Sequence, residues 1–358
     1  MVTVLGLDIG GANTKTAFVV VKDGRVTDFN SELEYFPFWK RNSDQFTSLL
    51  LGLNRKLIGS GNLEGVGVTL TAELSDAFRT KREGVSQILD CVAKVFGEKR
   101  VMVLDVDAEL RSMVAAKAEP LKVASANWVA TGWMVAQHVR DCVVVDVGST
   151  STSIIPVVNG EVEAFGMTDM EKLSNGELVY TGGLRTNVAA TVQVVPLRGR
   201  NVRVASELFA QSADVHLILG NITEEDYTSE TADGKGKSRP ASLARLARIV
   251  CADVEMLTEQ EIIQIAKYVC DRQIVQIAYG LNQVYSRLEQ NAKRDVPAIV
   301  TGLGKDFLAR KAAEKAGITK ILSLASLFPN DAALLSPAVG VALMMVSKME
   351  GKRPVWKP

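Results

Sequence analysis

Two stretches of the chain decide its fold: VLGLDIGGANTKTAFVVVKDGRV, residues 4–26, and CVVVDVGSTSTSIIPVVNGEV, residues 142–162. Each opens with an apolar run that ends in an aspartate, Asp8 or Asp146. One residue later comes a glycine, Gly10 or Gly148, and then small polar residues. A β-branched run follows, Thr16 to Val21 or Ser153 to Val158. A turn dipeptide closes it, Asp23-Gly24 or Asn159-Gly160. Asp-Gly and Asn-Gly between alternating strands are strong hairpin signals, because glycine enters the left-handed region freely. Each copy therefore reads as strand, glycine-rich hairpin, strand, hairpin, strand. The two aspartates lie 138 positions apart (146 minus 8). That spacing is too long for a solenoid repeat and points to a duplicated domain.

The rest of the chain suits two α/β domains with mixed sheets. A helical pattern covers Asp44–Ile58, a strand ends in TAELSDAF, a helix runs from Gly84 to Phe96, and a strand spans Val101–Asp105. Ala108–Ala118 reads as a helix, Pro120 interrupts the pattern, and Ala124–His138 reads as a buried helix. Beyond the second hairpin, GELVYTGGLRTNVAATVQVVPLRGR reads as strands with loops. Ser229–Ser242 is the most loop-like stretch. Glu259–Lys293 carries apolar residues at helical spacing, as one helix or two. AIVTGLGKDFL is a strand turning into a helix, and PAVGVALMMVSKM is a final helix with Pro337 in its first turn. The expected domains are residues 1–125 plus 336–358 and residues 126–335. They should enclose a central cleft into which both Asp-x-Gly hairpins point.

Composition narrows the class. With 358 residues, 47% of them hydrophobic, the chain can bury a large core. Lys plus Arg equals Asp plus Glu, at 41 each, so no broad basic field exists to attract nucleic acid. No signal peptide and no membrane-length apolar run is visible, so a cytoplasmic location is expected. Cys91, Cys142, Cys251 and Cys270 are scattered, with Cys142 on an apolar strand and Cys251 on an apolar helix; buried, reduced thiols are expected. His138 and His216 have no zinc-site spacing. Assembly as a homo-oligomer is left open.

Glycine at the tip of a tight hairpin lets an anion approach the backbone, where successive N–H groups cradle it. Gly10, Gly11, Gly148 and the donors Asn13, Thr14, Ser149, Thr150 and Thr152 suit a phosphate. Asp8 and Asp146, at the strand ends, suit Mg²⁺. Lys15 follows the first hairpin and reaches a phosphate or lies at the surface. A dinucleotide fingerprint does not fit, since a hairpin and not a helix follows the glycines.

This pattern resembles the actin-like ATPase (ribonuclease H-like) fold, with two phosphate hairpins and an adenosine-type turn at Gly302 and Gly304 in IVTGLGKDFL. Within that fold LGLDIGGANTK, TAELSDAF, KREGV, ANWVATGW, GELVYTGGLRT, SADVHLILG and TADGKGKSRPASLARLARIVCAD run nearly the whole length. Together they resemble the hydantoinase/oxoprolinase-related proteins tied to tetrahydromethanopterin C1 metabolism. The resemblance implies a transferase of methanofuran-type cofactor biosynthesis. In that reaction the diphosphate of an aminomethyl-furanmethanol is displaced by the phenol of γ-glutamyltyramine, with Mg²⁺ and no ATP. A phenol that loses its proton needs a base. Glu73 and Asp76 in TAELSD are the first candidates, although Ser75-Asp76 also reads as a helix cap. Asp214 and His216, two apart on an expected strand and hence on one face, are the second. Thr71 and Arg185, with His216, Gly302 and Gly304, are candidate substrate contacts; Arg185 suits a carboxylate or phosphate. Lys81-Arg82 read as solvated surface; Lys237 and Arg239, on the loop-like stretch, read as solvated loop, with closure over substrate as the alternative. The competing activities are an ATP-dependent small-molecule kinase or hydantoinase-like ATPase, and a nucleotide-sensing or assembly protein.

Overall fold

The computed structural model describes residues 1–59, 61–292 and 296–356. Along the chain, β1 (Val2–Ile9), β2 (Asn13–Lys22) and β3 (Arg25–Tyr35) precede α1 (Ser43–Ile58), β4 (Gly65–Leu70), α2 (Lys81–Phe96), β5 (Val101–Leu104) and β6 (Leu110–Ser112). Short helices α3 (Met113–Ala118) and α4 (Pro120–Val123) lead into α5 (Asn127–Ala136). The second hairpin region holds β7 (Cys142–Val147), β8 (Thr152–Val158) and β9 (Glu161–Val162), then α6 (Asp169–Ser174) and β10 (Leu178–Val179). There follow α7 (Val188–Thr191), β11 (Val194–Leu197), β12 (Arg200–Arg203), α8 (Ser212–Ile218), α9 (Arg239–Arg248) and α10 (Glu259–Ala292). The chain closes with β13 (Ala298–Thr301), α11 (Arg310–Lys315), β14 (Ile321–Ser323), α12 (Asn330–Leu334) and α13 (Ser336–Glu350).

The two large sheets repeat one plan. In the first, the order is β3-β2-β1-β4-β5-β6. Strand β1 pairs antiparallel with β2 and parallel with β4. In the second, the order is β10-β8-β7-β13-β14, with β9 paired to β8. There β7 runs parallel to β13, and β13 parallel to β14. In both sheets the strand carrying the aspartate is central and buried, as expected for an apolar run covered on both faces. Both expected turns form: Asp23 and Gly24 have φ of 53° and 76°, Asn159 and Gly160 55° and 81°. Positive φ at both central residues is the type I′ geometry that matches strand twist. The copies differ in length downstream: β3 spans 11 residues and β9 two.

The chain divides into two compact units, Met1–Asp141 with Ile155–Glu171 and Leu324–Pro358, and Cys142–Ile154 with Lys172–Ser323. Within the first, α13 packs on β1 and on α5, where Thr131 Oγ1 and Ser336 Oγ lie 3.1 Å apart. That packing draws residues 126–141 into the first unit. Residues 357 and 358 of the expected first domain lie outside the described residues.

Local signals explain the helices that frame the site. Asn42 and Gln45 form a reciprocal capping box at the start of α1. Thr80 caps α2 by accepting from the Glu83 N–H. The cap is thus Thr80, and not Ser75-Asp76. Four readings change. Ala108–Ala118 divides into β6 and α3, because Ala108 adopts φ of 63° and bends the chain. Arg239–Ser242, expected in a loop, begins α9 with Pro240 in its first turn. Cys251 stands in the turn after α9 with φ of 56°, and it is exposed, whereas the other three cysteines are buried. The stretch around Asp214 and His216 is helix α8 and not a strand. The apolar run Glu259–Ala292 is one continuous helix; Lys293, expected at its end, lies outside the described residues. No described helix is long and apolar enough to cross a membrane.

Candidate active site

In the first unit the hairpin tip is closed by the Gly10 N–H donating to the Asn13 carbonyl at 2.9 Å. The loop after β4 is tied to it: the Thr71 N–H donates to the Ile9 carbonyl at 2.9 Å. Gly10 faces Thr71 Oγ1 and Gly11 faces Ser75. The segment TAELSD therefore lies against the first hairpin, with Glu73 in a single 3₁₀ turn, Ala72–Leu74.

Asp8 is 3% exposed; its Oδ2 pairs with Lys15 Nζ at 3.2 Å, directly across the β1–β2 ladder. Its Oδ1 is buried with no partner. Thr69, its registered neighbour on β4, has a buried Oγ1 that also lacks one. Registered neighbours share a sheet face, so two orphan oxygens stand side by side. Buried polar groups cost free energy unless satisfied. A hard, oxygen-seeking cation with retained water fits this donor set. Among the described residues no group of three or more His, Cys, Asp or Glu gathers as a metal cage, so such an ion would rely on water and ligand oxygens. The buried Asn13 Oδ1, Thr14 Oγ1 and Ser75 Oγ are likewise unsatisfied.

Glu73 is 1% exposed. Its Oε1 lies 2.7 Å from Ser125 Oγ and 3.6 Å from Lys81 Nζ, and its Oε2 is buried with no partner. Burial pushes its carboxyl up to about 7, against the pull of Ser125 and Lys81. Asp169 completes the cluster, 2.7 Å from Ser125 Oγ and 2.8 Å from Lys81 Nζ. Ser125 holds φ of 55°, a conformation uncommon for a side chain that is not Gly, Asn or Asp. Lys81, Ser125 and Asp169 were not among the sequence candidates. Lys81 read as solvated surface, yet its ammonium is ion-paired. Residues 73, 81, 125 and 169 stand on the 3₁₀ turn after β4, the start of α2, the approach to α5 and the start of α6, and only the fold joins them. Asp76 is exposed, in the turn after Glu73.

In the second unit the Gly148 N–H donates to the Ser151 carbonyl at 3.0 Å, the same closure as at Gly10. The loop Thr181–Thr186 is strapped to this hairpin. The Gly183 N–H donates to the Gly148 carbonyl, and the Leu184 and Arg185 N–H groups to the Ser149 carbonyl, each at 2.9 Å. Arg185 Nη1 donates to Thr150 Oγ1 at 3.2 Å. A Cβ at Gly182 would lie 2.6 Å from the Thr150 carbonyl carbon and 2.7 Å from that of Ser149. No side chain fits there without moving the hairpin. Gly182→Ala is expected to cost about 1–3 kcal/mol by overpacking, read as a lower urea midpoint, and to raise KM for a phosphate-bearing substrate. Gly302 and Gly304 stand over β7, with the Gly304 N–H donating to the Val147 carbonyl at 3.0 Å, and Gly302 faces Asp146.

Helix α8 turns Asp214 and His216 to different surroundings, because two residues subtend about 200° around a helix; they do not share the single face that a strand would give. Asp214 is fully buried. Its Oδ1 accepts from Arg245 Nε at 2.8 Å, Ser242 Oγ at 3.0 Å and Tyr227 Oη at 3.2 Å, and its Oδ2 from the Gln211 N–H at 3.0 Å. Arg245 also donates to Asp233 and to the Gly236 carbonyl, pinning the segment expected to be a free loop. His216 is fully buried, and burial lowers its imidazole to about 4. It bonds Gln273 Oε1 at 3.1 Å, and Gln273 Nε2 donates to Thr181 Oγ1 at 2.8 Å and to the Gly182 carbonyl at 3.1 Å. His216 thus buttresses the Arg185 loop from behind.

Comparison with known proteins gives this geometry a context. Residues 64–348 match the hydantoinase/oxoprolinase family model. The chain is 37% identical over 350 residues, 98% of its own length and 99% of the relative's, to (4-{4-[2-(γ-L-glutamylamino)ethyl]phenoxymethyl}furan-2-yl)methanamine synthase of Methanocaldococcus jannaschii. It is 32% identical over 221 residues, 61% of its length and 97% of the relative's, to the synthase of the same name from Methanococcus vannielii. Among solved structures, nucleotide-free acetone carboxylase aligns with a TM-score of 0.51 at 12% identity, covering 96% of this chain and 70% of that one. That likeness speaks for the fold alone, and with the twice-repeated sheet order the fold is of the actin-like ATPase type. On the extent of the first two matches, the chain belongs to the hydantoinase/oxoprolinase family, alongside these furan-methanamine synthases.

Proposed function

We propose that the protein is a transferase that joins the phenol oxygen of γ-glutamyltyramine to the methylene carbon of an aminomethyl-furanmethanol diphosphate, releasing diphosphate. The observation that carries this reading is the match over nearly the whole chain to a synthase whose name describes such an aryl ether. The site chemistry supports it. When the C–O bond to diphosphate breaks, its electron pair leaves with the diphosphate and the furan ring delocalises the positive charge on carbon. The first hairpin offers backbone N–H groups, Asn13, Thr14 and Lys15 to the departing anion, and such pre-set donors act where charge develops. Mg²⁺ held by Asp8, in unit 1, or by Asp146, in unit 2, would neutralise phosphate charge when bound. The phenol oxygen then supplies the pair for the new C–O bond, and the protonated ether it becomes is a strong acid. Glu73 Oε2, buried and without a partner beside the hairpin loop, is the acceptor for that proton.

In the second unit Gly148, Ser149 and Thr150 present the same kind of cradle to an anion, and Arg185 adds a guanidinium suited to a carboxylate or phosphate. Asp214 has no role in this scheme, since both its oxygens are taken by internal donors. Incubation with Mg²⁺, the furan diphosphate and γ-glutamyltyramine, without nucleotide, is expected to yield inorganic diphosphate and a product of the ether's mass. An absolute requirement for ATP, with ADP formed, would overturn the reading.

A further inference from the structure

Ser125 Oγ stands between two carboxylates, 2.7 Å from Glu73 Oε1 and 2.7 Å from Asp169 Oδ2, with Lys81 Nζ at 3.3 Å. A hydroxyl has one hydrogen to donate and two lone pairs to accept. It cannot donate to both carboxylates at once. Lys81, which can only donate, fills one lone pair. The arrangement saturates when Ser125 donates to Asp169, already paired with Lys81, and accepts a proton-bearing Oε1 from Glu73, the more deeply buried of the two. The side chains of Asp169 and Lys81 are each 23% exposed, whereas that of Glu73 is fully buried. The line Glu73–Ser125–Asp169 therefore runs from the buried carboxyl toward solvent. Ser125 keeps this place with φ of 55°.

We infer that Ser125 is a proton-relay and positioning residue, which passes the proton released at Glu73 outward to Asp169. This inference rests on the reading of Glu73 as the acceptor. In the step, the phenol-derived O–H bond breaks as Glu73 Oε2 takes its proton. The Oε1–H proton moves to Ser125 Oγ, and the Ser125 proton moves to Asp169 Oδ2. One proton enters the line and one leaves it, with no change of oxidation state. A neutral Glu73 thereby works as a conduit, and an ionised one takes the proton directly. The charged groups facing Glu73 are Lys81 from α2 and Asp169 from α6, and both belong to the line.

The test is the pH dependence of single-turnover formation of the neutral ether product in the full-length protein, with Mg²⁺ and both substrates. Ser125→Gly removes the hydroxyl, and glycine adopts the same φ without strain, so folding is preserved. Asp169→Asn removes the outer acceptor and keeps its shape. Without the relay only ionised Glu73 accepts, so both variants should lose rate about tenfold per pH unit below the Glu73 titration near 7. The parent should fall far less over that range. If both variants keep the parent's profile while Glu73→Gln is inactive, the relay is wrong and the acceptor stands. If Glu73→Gln is as active as the parent, the acceptor reading fails and the relay with it.

Discussion

Replacing Glu73 by Gln is expected to lower kcat by about 10²–10⁴-fold, the usual range for losing a positioned proton acceptor, and at the same time to stabilise the protein above neutral pH. The two effects share a cause. Burial lifts the Glu73 carboxyl from its ordinary 4.5 to about 7, so the folded state binds its proton more tightly than the unfolded chain does. Below pH 4.5 the group is protonated in both states and carries no penalty. As pH rises from about 4.5 to 7 the unfolded chain releases that proton and the fold resists, and stability is lost. At about 1.4 kcal/mol per pKa unit the penalty reaches about 3 kcal/mol at pH 8. A neutral amide does not pay it, and it still offers an N–H to Ser125. Thermal unfolding at pH 5 and pH 8 checks the sign: Glu73→Gln should gain several degrees over the parent at pH 8 and much less at pH 5. An active variant would remove Glu73 from the reaction, and one with no gain at pH 8 would show that burial does not raise its carboxyl.

The second large effect belongs to the second unit. Asp214→Ala leaves the guanidinium of Arg245, fully buried, without its principal partner. Breaking a buried pair from one side typically costs about 3–5 kcal/mol, a large share of the 5–15 kcal/mol that stabilises an ordinary domain. The hydroxyls of Tyr227 and Ser242 lose the same acceptor. Urea denaturation should show the loss, while kcat of the folded fraction stays close to the parent's. A double replacement, Asp214→Leu with Arg245→Met, should recover much of the stability, because it removes both charges together. A stable but inactive Asp214→Asn would instead return this residue to the catalytic candidates.

Asp214 also shows where the reading of sequence stops. Its apolar neighbours Ala213, Val215 and Leu217 alternate with polar residues and mimic a strand, but Asp214 Oδ2 accepts from the Gln211 N–H at the start of α8 and seven residues form a helix instead. The alternation was real. That hydrogen bond and packing on α9 and α10 decided the element. Similarly, nothing local in TGGLRT requires glycine at position 182, whereas the approach of the Ser149–Thr150 backbone leaves no room for a side chain there.

By itself the sequence determined the duplicated plan, because each feature of it is local: a buried apolar run ending in aspartate, a glycine elbow, and a turn dipeptide that takes positive φ. The hairpin residues, from Asp8 to Lys15 and from Asp146 to Thr150, were legible for the same reason. Only the tertiary structure decided that Glu73, and neither Asp76 nor Asp214, is a buried carboxyl with an oxygen to spare, and that Lys81, Ser125 and Asp169 attend it. Proton affinity depends on desolvation and on charges within a few ångströms. Residues 73, 81, 125 and 169 acquire those neighbours only when the chain between them has folded.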